Sequence, residues 1–192
     1  MKPIFPKYVH PAQIKNAKKF SIGLFITGVL RVVPYLVIGS VLSYFTLKHI
    51  AYNNTGSEPI GYYLSYKPIK YHVGDLTMVC ITNEIHTQIM HNLGLPYSRS
   101  CKNGMPFLLK RIVAKYPDQI SIKPNGVTIN GILQINSIAD NDIPHLNYGV
   151  VKLKPHQYFL MGETPHSYDS RYFGAVDQSQ LIYKAKLLFQ TK

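Results

Sequence analysis

Acidic residues are scarce in this 192-residue chain: nine stand against 21 basic residues, which gives a formal net charge of +12. A charge of this size predicts an anionic partner, either nucleic acid or the anionic surface of a membrane. The chain also lacks the long lysine- and arginine-rich run that is typical of a nucleic-acid-binding arm, and its largest basic cluster is Lys15, Lys18 and Lys19. That cluster lies directly before an apolar segment, where membrane topology accounts for it. The composition therefore favours a lipid bilayer as partner and predicts no nucleic acid.

The patterns of common metal and catalytic centres are also missing. No C-x-x-C pair occurs, the eight histidines are scattered without a metal-ligand spacing, and no pair of acidic residues suggests acid–base catalysis. We therefore expect no metal and no cofactor. A serine nucleophile is not excluded, because a lysine can replace histidine as its base.

Only two cysteines are present, Cys80 and Cys101. In an oxidising compartment a disulfide between them would close a loop of about twenty residues, which the chain-entropy model values at ~3 kcal/mol. Two separate buried thiols are the alternative that the sequence leaves open.

The one long apolar run, residues 20–47, contains a single charge, Arg31. About 20 apolar residues suffice to cross a bilayer, so one span fits. Arg31 would be costly at the centre, so we expect the span to shift toward residues 32–50, or Arg31 to reach the interface or a protein partner. A cleaved signal peptide is less favoured, since the run exceeds the ~7–15 residues of such a segment and no A-x-A site follows.

The lysine distribution around this run predicts the orientation of the chain. Only Lys48 follows the run closely, whereas five lysines precede it: Lys2, Lys7, Lys15, Lys18 and Lys19. By the positive-inside rule the N-terminus is cytoplasmic. We predict a cytoplasmic tail at 1–19, a transmembrane signal-anchor at 20–50 and an extracytoplasmic domain at 51–192.

Beyond residue 50, short β-like runs are separated by turn residues, which predicts a mainly β, mostly antiparallel domain. Residues 84–93 are a candidate short helix, and ISIKPNGVTING reads as a hairpin with its turn at Pro124-Asn125-Gly126. The predicted strands are 62–66, 76–82, 107–114, 119–122, 127–130, 150–153, 157–161, 172–176 and 181–185.

Three stretches carry candidate catalytic residues. Ser57 lies in TGSEP just after the apolar run, where a plain linker is the alternative. Lys110 lies in the apolar stretch FLLKRIV, where burial would favour a neutral amine, although Lys110 and Arg111 could simply edge a strand. In GETPHSYDSRYFG, the residues Ser167, Asp169 and Arg171 alternate and would share one face of an extended strand, and a polar loop with a weak ion pair is the alternative.

Together, in order and spacing, these stretches resemble the type I signal peptidase family, and within it the TraF-type peptidases of conjugative transfer. TGSEPIGYY (residues 55–63) is similar to the nucleophile motif T-x-S-x-P-x-G-x-Y, LKR (109–111) to the motif of the base, and SYDSR (167–171) to the box that supports the lysine. One departure is the turn after the lysine, where the usual Pro-Gly-Asp reads Tyr116-Pro117-Asp118.

The resemblance implies a role for each residue. Ser57 would attack the scissile carbonyl and Lys110 would take its proton, while the Ser57 N–H and the Thr55 hydroxyl would form the oxyanion hole. Ser167 would orient the Lys110 amine, and the pair Asp169–Arg171 would support the surrounding strands. It also implies a precursor polypeptide as substrate, bound as an added strand, and a disulfide between Cys80 and Cys101.

The resulting hypothesis is a membrane-bound Ser-Lys endopeptidase on the periplasmic side of the bacterial inner membrane. It would remove signal peptides or process pilin-like precursors in conjugation or type IV secretion, with the secretion machinery as a further partner. Two alternatives stay open: a catalytically silent, membrane-anchored β module that scaffolds such an assembly, and an acyl-transfer pilin cyclase that uses the same dyad. A self-cleaving repressor is disfavoured, since it would need a DNA-binding head instead of an anchor.

Overall fold

The computed structural model describes residues 11–191 and divides the chain after Lys48 into a helical unit and a β unit. Lys2 and Lys7, and part of the predicted tail 1–19, lie outside the described residues. Helix α1 spans Pro11–Leu47 and contains Pro34. Its window Thr27–Tyr44 has a mean hydropathy of 1.4 and exposed side chains, and within residues 11–191 it is the one helix long and apolar enough to cross a membrane. The predicted anchor therefore has a helical counterpart, although the helix ends at Leu47 and not at residue 50.

The β unit confirms the mainly β, antiparallel class. Its two described helices are α2, Glu84–Asn92, and α3, Ser170–Phe173, and a 3-10 turn covers Gln178–Gln180. The strands are β1 Ile50–Asn53, β2 Gly61–Tyr66, β3 Leu76–Val79, β4 Leu108–Lys115, β5 Gln119–Lys123, β6 Gly126–Ile129, β7 Ile132–Leu133, β8 Gly149–Lys152, β9 Gln157–Met161, β10 Val176–Asp177 and β11 Leu181–Gln190.

The strands form two antiparallel sheets. The larger has the order β1-β2-β11-β3-β4-β9-β10, and the smaller has the order β7-β6-β5-β8. Apolar side chains from both sheets share one core cluster, which includes Ala114 and Phe159 from the larger and Ile120 and Val127 from the smaller. The last strand, β11, lies between β2 and β3. The two strands β2 and β3 are neighbours in sequence order, but within the described sheet each pairs with β11 and not with the other.

Local signals explain several element boundaries. The Asn83 side chain accepts a hydrogen bond from the Ile85 N–H at 2.9 Å and caps α2, as short polar side chains do at helix starts. Lys123 pairs with Gly126, so the hairpin predicted at Pro124-Asn125-Gly126 is confirmed. At the turn without glycine, the Asp118 carboxylate accepts the Lys115 N–H at 3.0 Å and closes the connection from β4 to β5.

The strand predicted at 172–176 is wrong. Residues 170–173 form α3, and only the short β10 follows. Asp169 caps the helix by accepting the Arg171 N–H at 3.1 Å, and Gly174 ends it with a φ of 80°. Tyr172, Phe173 and Val176 favour a strand by propensity, but the cap and the glycine override that preference. Ser167, Asp169 and Arg171 therefore do not share the face of an extended strand.

Candidate active site

A cavity of about 690 Å³ in the β unit brings together four of the predicted residues: Thr55, Ser57, Lys110 and Ser167. They come from segments far apart in the sequence. Ser57 and Thr55 lie in the loop of residues 54–60 between β1 and β2, here called the nucleophile loop. Lys110 lies on β4, and Ser167 lies between β9 and α3.

The nucleophile loop is held by the side chain of Asn53, the last residue of β1. Its amide nitrogen Nδ2 donates to the carbonyl oxygens of Thr55 and Glu58 at 3.0 Å and to that of Pro59 at 3.2 Å. The Tyr63 hydroxyl also donates to the Pro59 carbonyl, at 2.6 Å. These bonds replace the ladder contacts that an irregular loop lacks, and they fix the position of Ser57.

The Thr55 hydroxyl lies 3.3 Å from the Ser57 hydroxyl and donates to Asn53 Oδ1 at 2.8 Å. With its proton on Asn53, the Thr55 oxygen can accept a hydrogen bond from Ser57. Donation to an oxyanion would need the Thr55 hydroxyl to rotate, so its predicted role in the oxyanion hole stays a proposal.

Lys110 lies in the interior of the larger sheet, where β4 is paired with β3 and β9, and is only 3% exposed. Burial lowers the pKa of its amine from 10.5 to about 8, because a low-polarity environment disfavours the charged form. Asp169 and Glu58 act in the opposite direction, and Arg171 adds to the lowering. The arrangement can supply a neutral amine near physiological pH.

Ser167 is buried, and its hydroxyl has no hydrogen-bond partner within residues 11–191. It packs against Gly162, where a Cβ atom would come within 2.6 Å of the Ser167 Cβ and 2.9 Å of the Ser57 carbonyl oxygen. The Glu163 N–H donates to that same carbonyl at 2.8 Å. The absent side chain at Gly162 thus lets Ser167 approach the nucleophile loop closely, with a hydroxyl that a bound group could engage.

Asp169 and Arg171 form a fully buried, two-pronged ion pair. Arg171 Nε and Nη2 each donate to an Asp169 carboxylate oxygen at 2.8 Å. Arg171 also donates to the Ser167 carbonyl at 2.9 Å, and Asp169 accepts the Gly162 N–H at 3.1 Å. The pair therefore holds both segments that pack against each other beside Ser57.

Sequence reasoning missed two residues of this neighbourhood, Asn53 and Glu58. Glu58 is 2% exposed and pairs with Arg111 at 3.0 Å, and burial raises the pKa of its carboxyl to about 7 although Arg111 opposes this. A signal was present, since one of only nine acidic residues directly follows the candidate nucleophile. Asn53 gave no such signal, because its role depends on three carbonyl groups that only the folded loop brings together.

The segment between the two cysteines contributes to the wall of the cavity. Leu93, Leu95 and Pro96 line it, and the sulfur atoms of Cys80 and Cys101 are joined at 2.04 Å at the ends of the segment. The wall is mostly apolar, which suits the side chains of an extended peptide. Among the described side chains, no group of three or more histidine, cysteine or acidic residues could hold a metal ion.

The chain is similar to several known proteins over much of its length. The chain is 29% identical over 176 residues to the conjugal transfer protein TraF of Agrobacterium tumefaciens, which covers 86% of this chain and 94% of that protein. It is 26% identical to a plasmid transfer protein TraF of Escherichia coli, over 67% of this chain and 76% of the relative. A third relative, described as a probable signal peptidase I-2 of Synechocystis sp., is 34% identical over 46% of this chain and 40% of its own length.

A solved signal peptidase I from Enterococcus faecalis aligns with 64% of this chain and 100% of its own, at 18% identity and a TM-score of 0.34. The profile of the family described as signal peptidase, peptidase S26, matches residues 25–190. That match covers most of the chain, so this protein belongs to the signal peptidase family, peptidase S26.

Proposed function

We propose that this protein is a membrane-bound serine endopeptidase in which Ser57 is the nucleophile and Lys110 the general base. One observation carries the proposal: a single cavity is lined by both residues, and the lysine is buried so that its pKa falls to about 8. A scaffold protein has no need for a buried lysine that lines the same cavity as a serine, because burial of a charge is costly.

The chemistry follows from these groups. The neutral Lys110 amine takes the proton of Ser57 as its hydroxyl oxygen attacks the scissile carbonyl, and then delivers it to the leaving amine. The Ser57 N–H and the Thr55 hydroxyl stabilise the oxyanion, where one donor is typically worth ~2.7–4 kcal/mol. The Ser167 hydroxyl oxygen would accept an N–H of the neutral amine, which leaves the lone pair of the amine free to point toward Ser57. Water then releases the acyl group from Ser57.

We further propose that the substrate is a signal peptide or a pilin-like precursor in conjugative transfer. The TraF relatives carry conjugal or plasmid transfer in their names, and two of them match over two thirds or more of both chains. Helix α1 would anchor the protein in the inner membrane, with residues 51–192 on the periplasmic side. Cleavage sites of such precursors emerge at that face of the bilayer, near the first residues of the β unit.

The test compares the full-length protein with Ser57→Ala and Lys110→Met in cells that produce a candidate pilin precursor. We expect each variant to lose processing by at least about a thousandfold while staying folded and membrane-bound. The masses of precursor and product measure the cleavage and its position. They also separate hydrolysis from ring closure, since hydrolysis adds water to the acyl group and closure does not.

A substitution outside the cavity serves as control. Lys186→Met removes a lysine from an exposed position of β11 and should process normally. Processing by Ser57→Ala at the rate of the unmodified protein would refute the proposal and favour the silent scaffold.

A further inference from the structure

Glu58 has no part in the chemistry described above, although it directly follows the candidate nucleophile. Its side chain is 0% exposed, and only Oε2 is paired, by Arg111 Nη2 at 3.0 Å. Oε1 is buried without a hydrogen-bond partner in the part of the chain that the structure describes. A buried carboxyl group with one oxygen that accepts no hydrogen bond lowers the stability of the fold, so we expect this group to perform a function.

Arg111 connects Glu58 to the segments that surround the cavity. Its Nη2 atom also donates to Glu163 Oε1 at 2.8 Å, and its Nη1 atom donates to the Gly74 carbonyl at 3.2 Å. Because the Glu163 N–H donates to the Ser57 carbonyl, the nucleophile loop is attached on two sides. Arg111 is also the neighbour of Lys110 on β4, so the bond from Glu58 ties the loop of the nucleophile to the strand of the base.

The charged and titratable groups around Glu58 and Lys110 come from five segments. Glu58 faces Arg111 and Lys110 from β4, Glu163 from the loop after β9, and the Tyr63 hydroxyl from β2. Lys110 faces Glu58 from the nucleophile loop and Asp169 and Arg171 from the start of α3. The charge of Asp169 is already matched by its two-pronged bond to Arg171. Of the two acidic groups that act on Lys110, Glu58 is therefore the one that can lose its charge without breaking the buried pair of Asp169 and Arg171.

We propose that Glu58 is a positioning residue: through Arg111 it holds the nucleophile loop on β4, and its negative charge favours the protonated form of the Lys110 amine. This inference rests on the proposed function. A negative charge near the amine stabilises the ammonium form, so Glu58 keeps Lys110 protonated to higher pH. Burial raises the pKa of Glu58 itself to about 7, so its charge is present where Lys110 titrates and disappears in more acidic solution.

The experiment measures kcat/KM for a precursor peptide against pH, with the full-length protein in lipid vesicles. Glu58→Gln keeps the size and an acceptor for Arg111 but removes the charge. We expect the midpoint of the rising limb to move to lower pH by about half a unit or more, because the ammonium form loses a stabilising neighbour. Glu58→Met also removes the charge and should move the midpoint in the same direction. It replaces Glu58→Gln in the experiment if the glutamine variant does not fold.

Glu163→Gln is the matched control. It removes the other acidic partner of Arg111, but Glu163 is half exposed, and the charges that shift Lys110 are those of Asp169, Glu58 and Arg171. We expect kcat/KM of this variant to be lower, because the nucleophile loop is held less firmly, while the midpoint of the rising limb stays at the same pH. A purely structural role of Glu58 would give both variants the same result, a lower rate at an unchanged midpoint.

A second measurement does not depend on cleavage. Reductive methylation of Lys110, followed by peptide mass spectrometry at several pH values, reports the titration of the amine in the folded Ser57→Ala protein. Adding Glu58→Gln should move that titration to lower pH. An unmoved or raised midpoint in both measurements overturns the role of Glu58, whereas normal processing by Ser57→Ala alone overturns the proposed function.

Discussion

At the scale of single residues, the burial of Lys110 is what makes its amine useful as a base, because burial lowers the pKa of that amine. A free lysine titrates near ~10.4 and is almost fully charged at neutral pH. With a pKa of about 8, roughly a tenth of the molecules carry a neutral amine at pH 7 and about half at pH 8. The apolar neighbours on β4 that create this shift are the same residues that build the core.

The pH dependence follows from the sign of that shift. Only the neutral amine can accept a proton, so kcat/KM should rise about tenfold per pH unit below pH 8 and level off above it. Lys110→Arg should be inactive at every pH, since a guanidinium group keeps its proton. Peptide cleavage measured across this range tests both points. Substantial cleavage by Lys110→Arg would show that the lysine is not the base.

The sequence indicates Ser57 and Lys110 because each carries a local signal, a turn-rich serine motif and a lysine in an apolar strand. Glu58 is marked only by its place after the candidate serine, and neither Glu58 nor Asn53 lies in a local pattern that predicts its burial. The partner of Glu58 is Arg111, 53 residues further along the chain, and only the sheet brings the two together. Burial of a polar side chain in a loop is decided by such distant contacts, which composition and periodicity do not encode.

At the scale of elements, the short helix α3 and its cap replace the strand that was predicted there. The change matters for Asp169, which caps the helix and pairs with Arg171 at the same time. The identities of both residues were predicted correctly as an ion pair, but the geometry was not. A strand face would have left the pair partly exposed, whereas the helix turn encloses it.

Asp169→Asn leaves the Arg171 charge buried without a matching carboxylate. We expect a loss of about 3–5 kcal/mol in the free energy of unfolding, which is typical when one partner of a buried pair is removed. The thermal midpoint of the detergent-solubilised protein should fall by roughly 10 °C, as followed by near-ultraviolet circular dichroism of the tyrosines. Lys186→Met, on an exposed position, should change it by less than about 2 °C. An equal small change in both variants would contradict the prediction.

The segment from Cys80 to Cys101 makes a second prediction at this scale. It carries α2 and supplies apolar side chains to the cavity wall. We expect both thiols to resist alkylation in protein prepared without reductant, and dithiothreitol to release them and lower the rate of cleavage. The reason is that the unfolded form of the open segment gains about 3 kcal/mol of chain entropy, so local unfolding of the wall residues becomes more frequent. Rapid alkylation of both cysteines without reductant would reject the disulfide.

At the scale of the whole molecule, the apolar helix and the lysines that precede its apolar run predict how the chain is inserted. A phosphatase that is active only outside the cytoplasm, fused after residue 192, should be active. A fluorescent protein that matures only in the cytoplasm should stay dark at the same position. The opposite pair of results would reverse the proposed orientation.

The position of β11 in the larger sheet affects when the sheet can be completed during synthesis of the chain. No ladder joins β2 to β3 in the described sheet, and β11 is the strand that pairs with both. A growing polypeptide of 175 residues already contains every catalytic side chain proposed above, yet it has no strand that pairs with both β2 and β3. We therefore expect the larger sheet, and with it the final positions of β2 and β3, to be completed only when residues 181–190 have been made.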